Sequence, residues 1–115
     1  MARSNSPRSW RHAAPLFAAL GDDTRLRVVA RLCDEGPLSI AKLTEGAEVT
    51  RQAVTKHLQV LASAGLVKGS RDGRENVYQL QTRRLGEAKR WLEHISREWD
   101  ETLGRLKAFV EDDRP

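Results

Sequence analysis

Apolar positions along this chain recur every three to four residues in several short runs, alternate once, and then return to helical spacing for a single long run. Pro15 is tolerated in a first helical turn, so Leu16 to Leu20 predicts a short helix stopped by Gly21. Leu26, Val29, Ala30, Leu32 and Cys33 predict a second helix, with Asp22 or Asp23 as its N-cap and Gly36-Pro37 as its end. Ser39 offers an N-cap for a third short helix with Ile40 and Leu43 inward, ended by Gly46. A three-residue loop leads to Thr50, which caps a fourth helix. Its apolar face is Val54, Leu58 and Leu61, and Ala64-Gly65 closes it.

Beyond Gly65 the period falls to two. Leu66 to Arg71 and Arg74 to Leu80 read as strands around Asp72-Gly73, a hairpin turn whose two central positions both want positive φ. From Thr82 to Asp112 a last helix carries Leu85, Ala88, Leu92, Ile95, Trp99, Thr102, Leu106 and Phe109, alternately three and four apart. That seam is longer than the core of a 115-residue chain requires, so part of it is expected to meet a second chain. Leu85, Leu92, Ile95, Trp99 and Leu106 are the expected contacts of a homodimer. The expected fold class is mainly α (α+β): a winged helix-turn-helix with a two-stranded β-hairpin wing and a long C-terminal dimerisation helix. The expected organisation is a flexible basic arm over 1–12, the DNA-binding domain over 13–81, and the helix over 82–112 continuous with it.

Composition narrows the classes without changing that picture. A chain of 115 residues with 31% charged and 39% hydrophobic side chains has the balance of one soluble globular domain. No apolar run approaches the roughly 18 residues of a membrane span. The basic, Ser-rich N-terminus has no apolar stretch of the kind a secretory signal carries, which makes the cytoplasm the expected compartment. One cysteine excludes an internal disulfide.

The distribution of charge matters more than its total of +4. Residues 1–13 carry three basic and no acidic side chains, and residues 50–74 carry five basic and one acidic. Residues 14–49 are net acidic, and residues 82–115 balance at eight of each sign. A basic excess confined to one stretch of a folded domain fits a nucleic-acid footprint, although a solvated basic face has the same composition. With Val54, Leu58 and Leu61 inward, the fourth helix presents Arg51, Gln52, Thr55, Lys56 and Gln59 outward. Arginine can grip guanine O6 and N7, glutamine can grip adenine N6 and N7, and threonine can meet a thymine methyl; a lysine suits phosphate. Arg71 and Arg74 at the hairpin tip suit the backbone or the minor groove. Any amphipathic helix exposes polar residues, and a winged helix can instead serve protein contact through its long last helix. Nothing in the chain points to an enzyme: there is no Gly-rich phosphate loop and no nucleophile elbow.

LFAALGDDTRLRVVARL, LSIAKLTEGAEVTRQAVTKHLQVLASAGLV and GSRDGRENVYQL resemble the ArsR/SmtB family of bacterial winged-helix repressors over roughly residues 16–80. The resemblance implies a cytoplasmic homodimer, paired through its first and last helices, that blocks a palindromic operator of its own or a neighbouring operon until an effector releases it. It also implies DNA contacts at Arg51, Gln52, Thr55, Lys56 and Arg74, and makes His57 the histidine that precedes a buried leucine, read as structural. The metal ligands of sensing members are missing. Ile40 to Thr44 holds no cysteine pair, and in the last helix only His94 and Glu98 remain, two groups where a closed zinc site needs four. Cys33 reads as a small buried residue. No metal and no cofactor are therefore expected, and a small organic effector remains the open partner.

Overall fold

Two-residue punctuation, caps and apolar faces set the element order, and one strand joins those the sequence announces. The structure, a computed structural model, describes residues 7–112. In chain order these form α1 (Pro7–Leu20), α2 (Asp23–Glu35), β1 (Leu38–Ser39), α3 (Ile40–Thr44), α4 (Arg51–Ser63), β2 (Val67–Asp72), β3 (Glu75–Leu80) and α5 (Thr82–Asp112). The three strands make one antiparallel sheet in the order β1-β3-β2. The core gathers one face from each layer, and Leu16, Val54, Leu58, Leu61 and Leu66 are its most enclosed members.

Capping chemistry explains where the helices begin. The Asp22 carboxylate accepts from the Arg25 amide at 3.0 Å, Ser39 Oγ from Lys42 at 3.1 Å and Thr50 Oγ1 from Ala53 at 3.1 Å, each satisfying an amide that a first turn leaves free. The other ends are held by arginines. Arg25 Nε donates to the Ala19 carbonyl at 2.6 Å, where α1 ends. Arg31 Nη1 donates to the Lys42 carbonyl at 3.1 Å, where α3 ends, while its Nε holds Glu35 at 3.0 Å. Arg84 Nε donates to the Ala64 carbonyl at 3.2 Å, where α4 ends. A guanidinium placed there answers both the orphan carbonyls and the negative end of the helix dipole.

Five sequence expectations need correction. The first helix starts at Pro7, so Pro15 lies inside it and residues 7–12 of the expected arm are helical; the rest of that expected arm lies outside the described residues. Burial of Ala13, Leu16 and Ala19 along one face outweighs the missing Pro15 amide. In α2 the packed face is Val28, Val29 and Leu32, whereas Leu26 is 50% exposed and Ala30 and Cys33 are exposed too. Both stripes are apolar at helical spacing, so periodicity alone had no means of choosing between them. β1 went unseen because two residues show no alternation; its Leu38 pairs with Tyr78. The interval between α3 and α4 spans residues 45–50 rather than three residues. At the wing tip Asp72 pairs with Glu75, which leaves Gly73-Arg74 as the central pair. Only Gly73 takes positive φ, at 66°, the requirement of a type II′ loop rather than the type expected.

The wing holds one close approach. Gly69 stands opposite Tyr78, and a Cβ on Gly69 would lie 2.8 Å from Tyr78 Cε2. Gly69→Ala must therefore displace a half-buried ring, and overpacking of this kind costs about 1–3 kcal/mol. Urea unfolding of Gly69→Ala, Tyr78→Ala and the double variant tests this: the double variant should lose less than the two single losses added together.

Candidate nucleic-acid interface

The surface of α4 follows from its buried face. Val54, Leu58 and Leu61 face the core, and Arg51, Gln52, Lys56 and Gln59 are exposed. At about 100° per residue, Gln52, Lys56, Gln59 and Ser63 centre opposite the buried stripe, with Arg51 and Thr55 to one side and His57 on the other margin. Among the described residues the side chains of Arg51, Gln52, Lys56 and Gln59 make no ion pair or hydrogen bond, so they stand available to a ligand. Thr55 differs. Its hydroxyl donates to the Arg51 carbonyl at 2.9 Å, so its proton is already committed and it has its methyl and lone pairs to offer.

The wing adds a second cationic edge. Alternation along β2 puts Lys68 and Ser70 on one face and Arg71 on the other, and Arg74 occupies the turn itself. Lys68, counted in the sequence only as part of the basic stretch, is a further exposed cation on the wing. Asp72 and Glu75 sit opposite one another at the tip, which tempers the charge there.

Two polar clusters, neither expected from sequence, hold α4 in place. On its middle, His57 Nδ1 lies 3.3 Å from Arg25 Nη1 and 3.7 Å from Asp22 Oδ2. The Arg25 amide bond, followed by the Arg25 charge and His57, holds the Asp22 carboxyl below its usual range despite partial desolvation. At its exit, Arg84 reaches Ala64, Glu87 at 2.6 Å and His12 at 2.8 Å, joining α4 to α5 and α1. Burial would raise the Glu87 carboxyl, but the bond and charge of Arg84, with the His12 ring 3.2 Å away, outweigh it and hold the group below its usual range. Of the first cluster the sequence offered Asp22 as a cap and His57 as a structural histidine, without the Arg25 that joins them; Arg31 and Arg84 had no sign. His94 lies 3.8 Å from Glu98, and among the described residues no three histidine, cysteine or carboxylate groups converge as a metal set would.

Residues 20–69, which include α2, α3 and α4, match a family described as a helix-turn-helix domain. A solved ArsR-like transcriptional regulator from Rhodococcus sp. RHA1 superposes with a TM-score of 0.74 at 36% identity, covering 87% of this chain and 93% of that one. The chain belongs to the ArsR/SmtB family of winged helix-turn-helix transcriptional regulators. Among ArsR/SmtB and other helix-turn-helix relatives, an uncharacterised HTH-type transcriptional regulator of Bacillus subtilis is 36% identical over 85 residues, 68% of this chain and 92% of the relative. The arsenic resistance transcriptional regulator ArsR1 of Pseudomonas putida is 31% identical over 78 residues, 68% of this chain and 58% of the relative. An ArsR/SmtB winged helix is thus the scaffold on which α4 and the wing are displayed.

The Glu87 cluster gives a pH test. A carboxyl whose folded pKa is depressed stabilises the fold above its unfolded pKa of about 4.3 and loses that contribution as pH falls through the folded value. Wild-type melting temperature should therefore drop between about pH 5 and pH 3, and Glu87→Gln should be less stable at pH 7 but show a shallower acid loss.

Proposed function

We propose that this ArsR/SmtB member is a sequence-specific repressor that binds a palindromic operator as a homodimer. The observation that carries this is the row of exposed, uncommitted side chains Arg51, Gln52, Lys56 and Gln59 on the outer side of a Thr50-capped helix, flanked by the wing cations. A helix of this kind enters the major groove with its first residues on base edges. Arg51 and Gln52 read bases, Thr55 offers its methyl, Gln59 reaches further along the groove, and Lys56, Arg71 and Arg74 hold phosphates. One relative, 36% identical over 64 residues, is the arsenical resistance operon repressor of Bacillus subtilis, and repression is the role this reading takes from it.

The dimer rests on α5. Its 31 residues make a rod about 46 Å long. The radius of gyration is 19.3 Å, against about 13 Å for a compact chain of this length. Leu85 and Ala88 pack on the chain's own core, and Ile95 is partly covered. Leu92, Trp99, Leu103, Leu106 and Phe109 are exposed, Phe109 by 70%. An apolar seam of that length without cover suits a second copy. No metal operates the switch in this reading: an organic effector or a partner protein releases the DNA, or repression is constitutive and tuned by protein concentration.

Selection of bound sequences from a random duplex pool tests the proposal, which expects paired half-sites about 34 Å apart. Recovery of no sequence, or binding indifferent to salt, would favour a protein-contact module. Alanine at Arg51 or Gln52 should reduce discrimination by about 1–3 kcal/mol while random-duplex binding persists. The Lys56, Arg71 and Arg74 triple alanine variant should weaken all duplexes and flatten the salt slope by about 0.9 per lost contact. Trp99→Asp or Ile95→Asp should convert a dimer to monomers by light scattering; a monomeric wild type at micromolar concentration that still bound tightly would remove α5 from the interface.

A further inference from the structure

His57 occupies an unusual position: it is in α4, at the border between the buried stripe and the exposed one, with its side chain 21% accessible. Its Nδ1 faces Arg25 Nη1 at 3.3 Å. A guanidinium has five donors and no acceptor, so this bond exists only if Nδ1 is the accepting nitrogen and the imidazole proton sits on Nε2. Asp22 Oδ2, at 3.7 Å from the same Nδ1, is the other charged group on that side. Were His57 protonated, Nδ1–H would turn to Asp22, and Nε2 would still carry its proton. Nε2 is thus a donor in either state. No described residue accepts from it, and no buried polar atom is left without a partner, so the Nε2–H reaches solvent.

A donor in that place has a restricted choice of ligand. Lys56, its neighbour in sequence, points about 100° further round, toward the centre of the groove-facing side. A residue at the margin of a helix lying in the major groove meets the sugar-phosphate strand that borders the groove rather than a base edge. Arg25 is held in place by two of its donors, Nε on the Ala19 carbonyl and Nη1 on His57. The charge of Asp22 is offset by Arg25, which lowers the electrostatic objection to a phosphate nearby.

We propose that His57 is a further DNA-contact residue, its Nε2–H donating to a backbone phosphate at the groove edge while Arg25, through Nδ1, fixes the ring that presents it. This rests on the operator-binding reading above. Arg25 is then a positioning residue, and the contact adds affinity without adding sequence preference.

Two near-isosteric changes separate contact from scaffold in the full-length protein. Asparagine at 57 can still accept from Arg25 but stops short of the Nε2 position; glutamine reaches that position with an N–H and gives up the bond to Arg25. The probes are the selected operator duplex and a random duplex of the same length. His57→Asn should weaken both by about tenfold per half-site, with melting temperature and dimer mass unchanged. His57→Gln should bind within about threefold of wild type. A scan replacing single phosphates with neutral methylphosphonates should find one position per half-site that weakens wild type but leaves His57→Asn unaffected. The proposal is overturned by the opposite order, with His57→Asn near wild type and His57→Gln weak, by a loss confined to the operator, or by a scan with no such position. Wild-type protein that binds neither duplex sinks the operator reading and the contact together. The ring's tautomer is still read separately from its imidazole ¹⁵N shifts, so a failure of the Arg25 latch is told apart from a failure of DNA binding.

Discussion

The burial of Val54, Leu58 and Leu61 is the contact on which the rest of this structure depends, because the helix that carries them packs at once against α1, α2, α3 and β2. Each of those side chains is at most 1% exposed, and removing one such leucine to alanine typically costs about 2–5 kcal/mol. The same burial dictates the opposite surface. A helix with three residues pinned inward in two turns has little freedom to rotate, so the bearing of Gln52, Lys56 and Gln59 is decided by leucines that never meet a ligand.

Polar groups finish what the leucines begin. Arg25, Arg31 and Arg84 each end a helix by donating to carbonyls that have no partner of their own, at Ala19, Lys42 and Ala64. Part of the chain's basic content is therefore structural. Counting lysine and arginine overstates the charge available to a polyanion, and the useful measure is which cations lack an internal partner. Among the described residues, Arg51, Lys56, Lys68, Arg71 and Arg74 of α4 and the wing have only Asp72 and Glu75 for acidic company, whereas the unpaired cations of α5 stand among unpaired carboxylates such as Glu93 and Asp100.

What was legible in the sequence shares one property: it depends on residues close together in the chain. Ser39 and Thr50 act on amides three residues away, and the faces of α4 and α5 follow from spacing alone. What was not legible depends on partners far along the chain. The choice of Val28 over Leu26, Ala30 and Cys33 to join Val29 and Leu32 on the inner face of α2 is made by what packs against it. β1 exists because β3 offers it a free edge. Arg31 and Arg84 look like surface cations until α3 and the end of α4 are brought to them. Of the candidate site, the exposed side chains of α4 could be read directly, whereas the cluster of Asp22, Arg25 and His57 joins residues up to 35 apart and needed the fold.

The outer half of α5 has a consequence for the life of the molecule in a cell. On the dimer proposed above, a newly made chain that has not met a second copy exhibits a row of leucines and aromatics on a rod held at one end only, the kind of surface that chaperones and proteases sample. Turnover would then fall hardest on lone chains and spare associated ones. Abundance would respond to the rate of synthesis more steeply than in proportion, giving the regulator a threshold that owes nothing to any ligand.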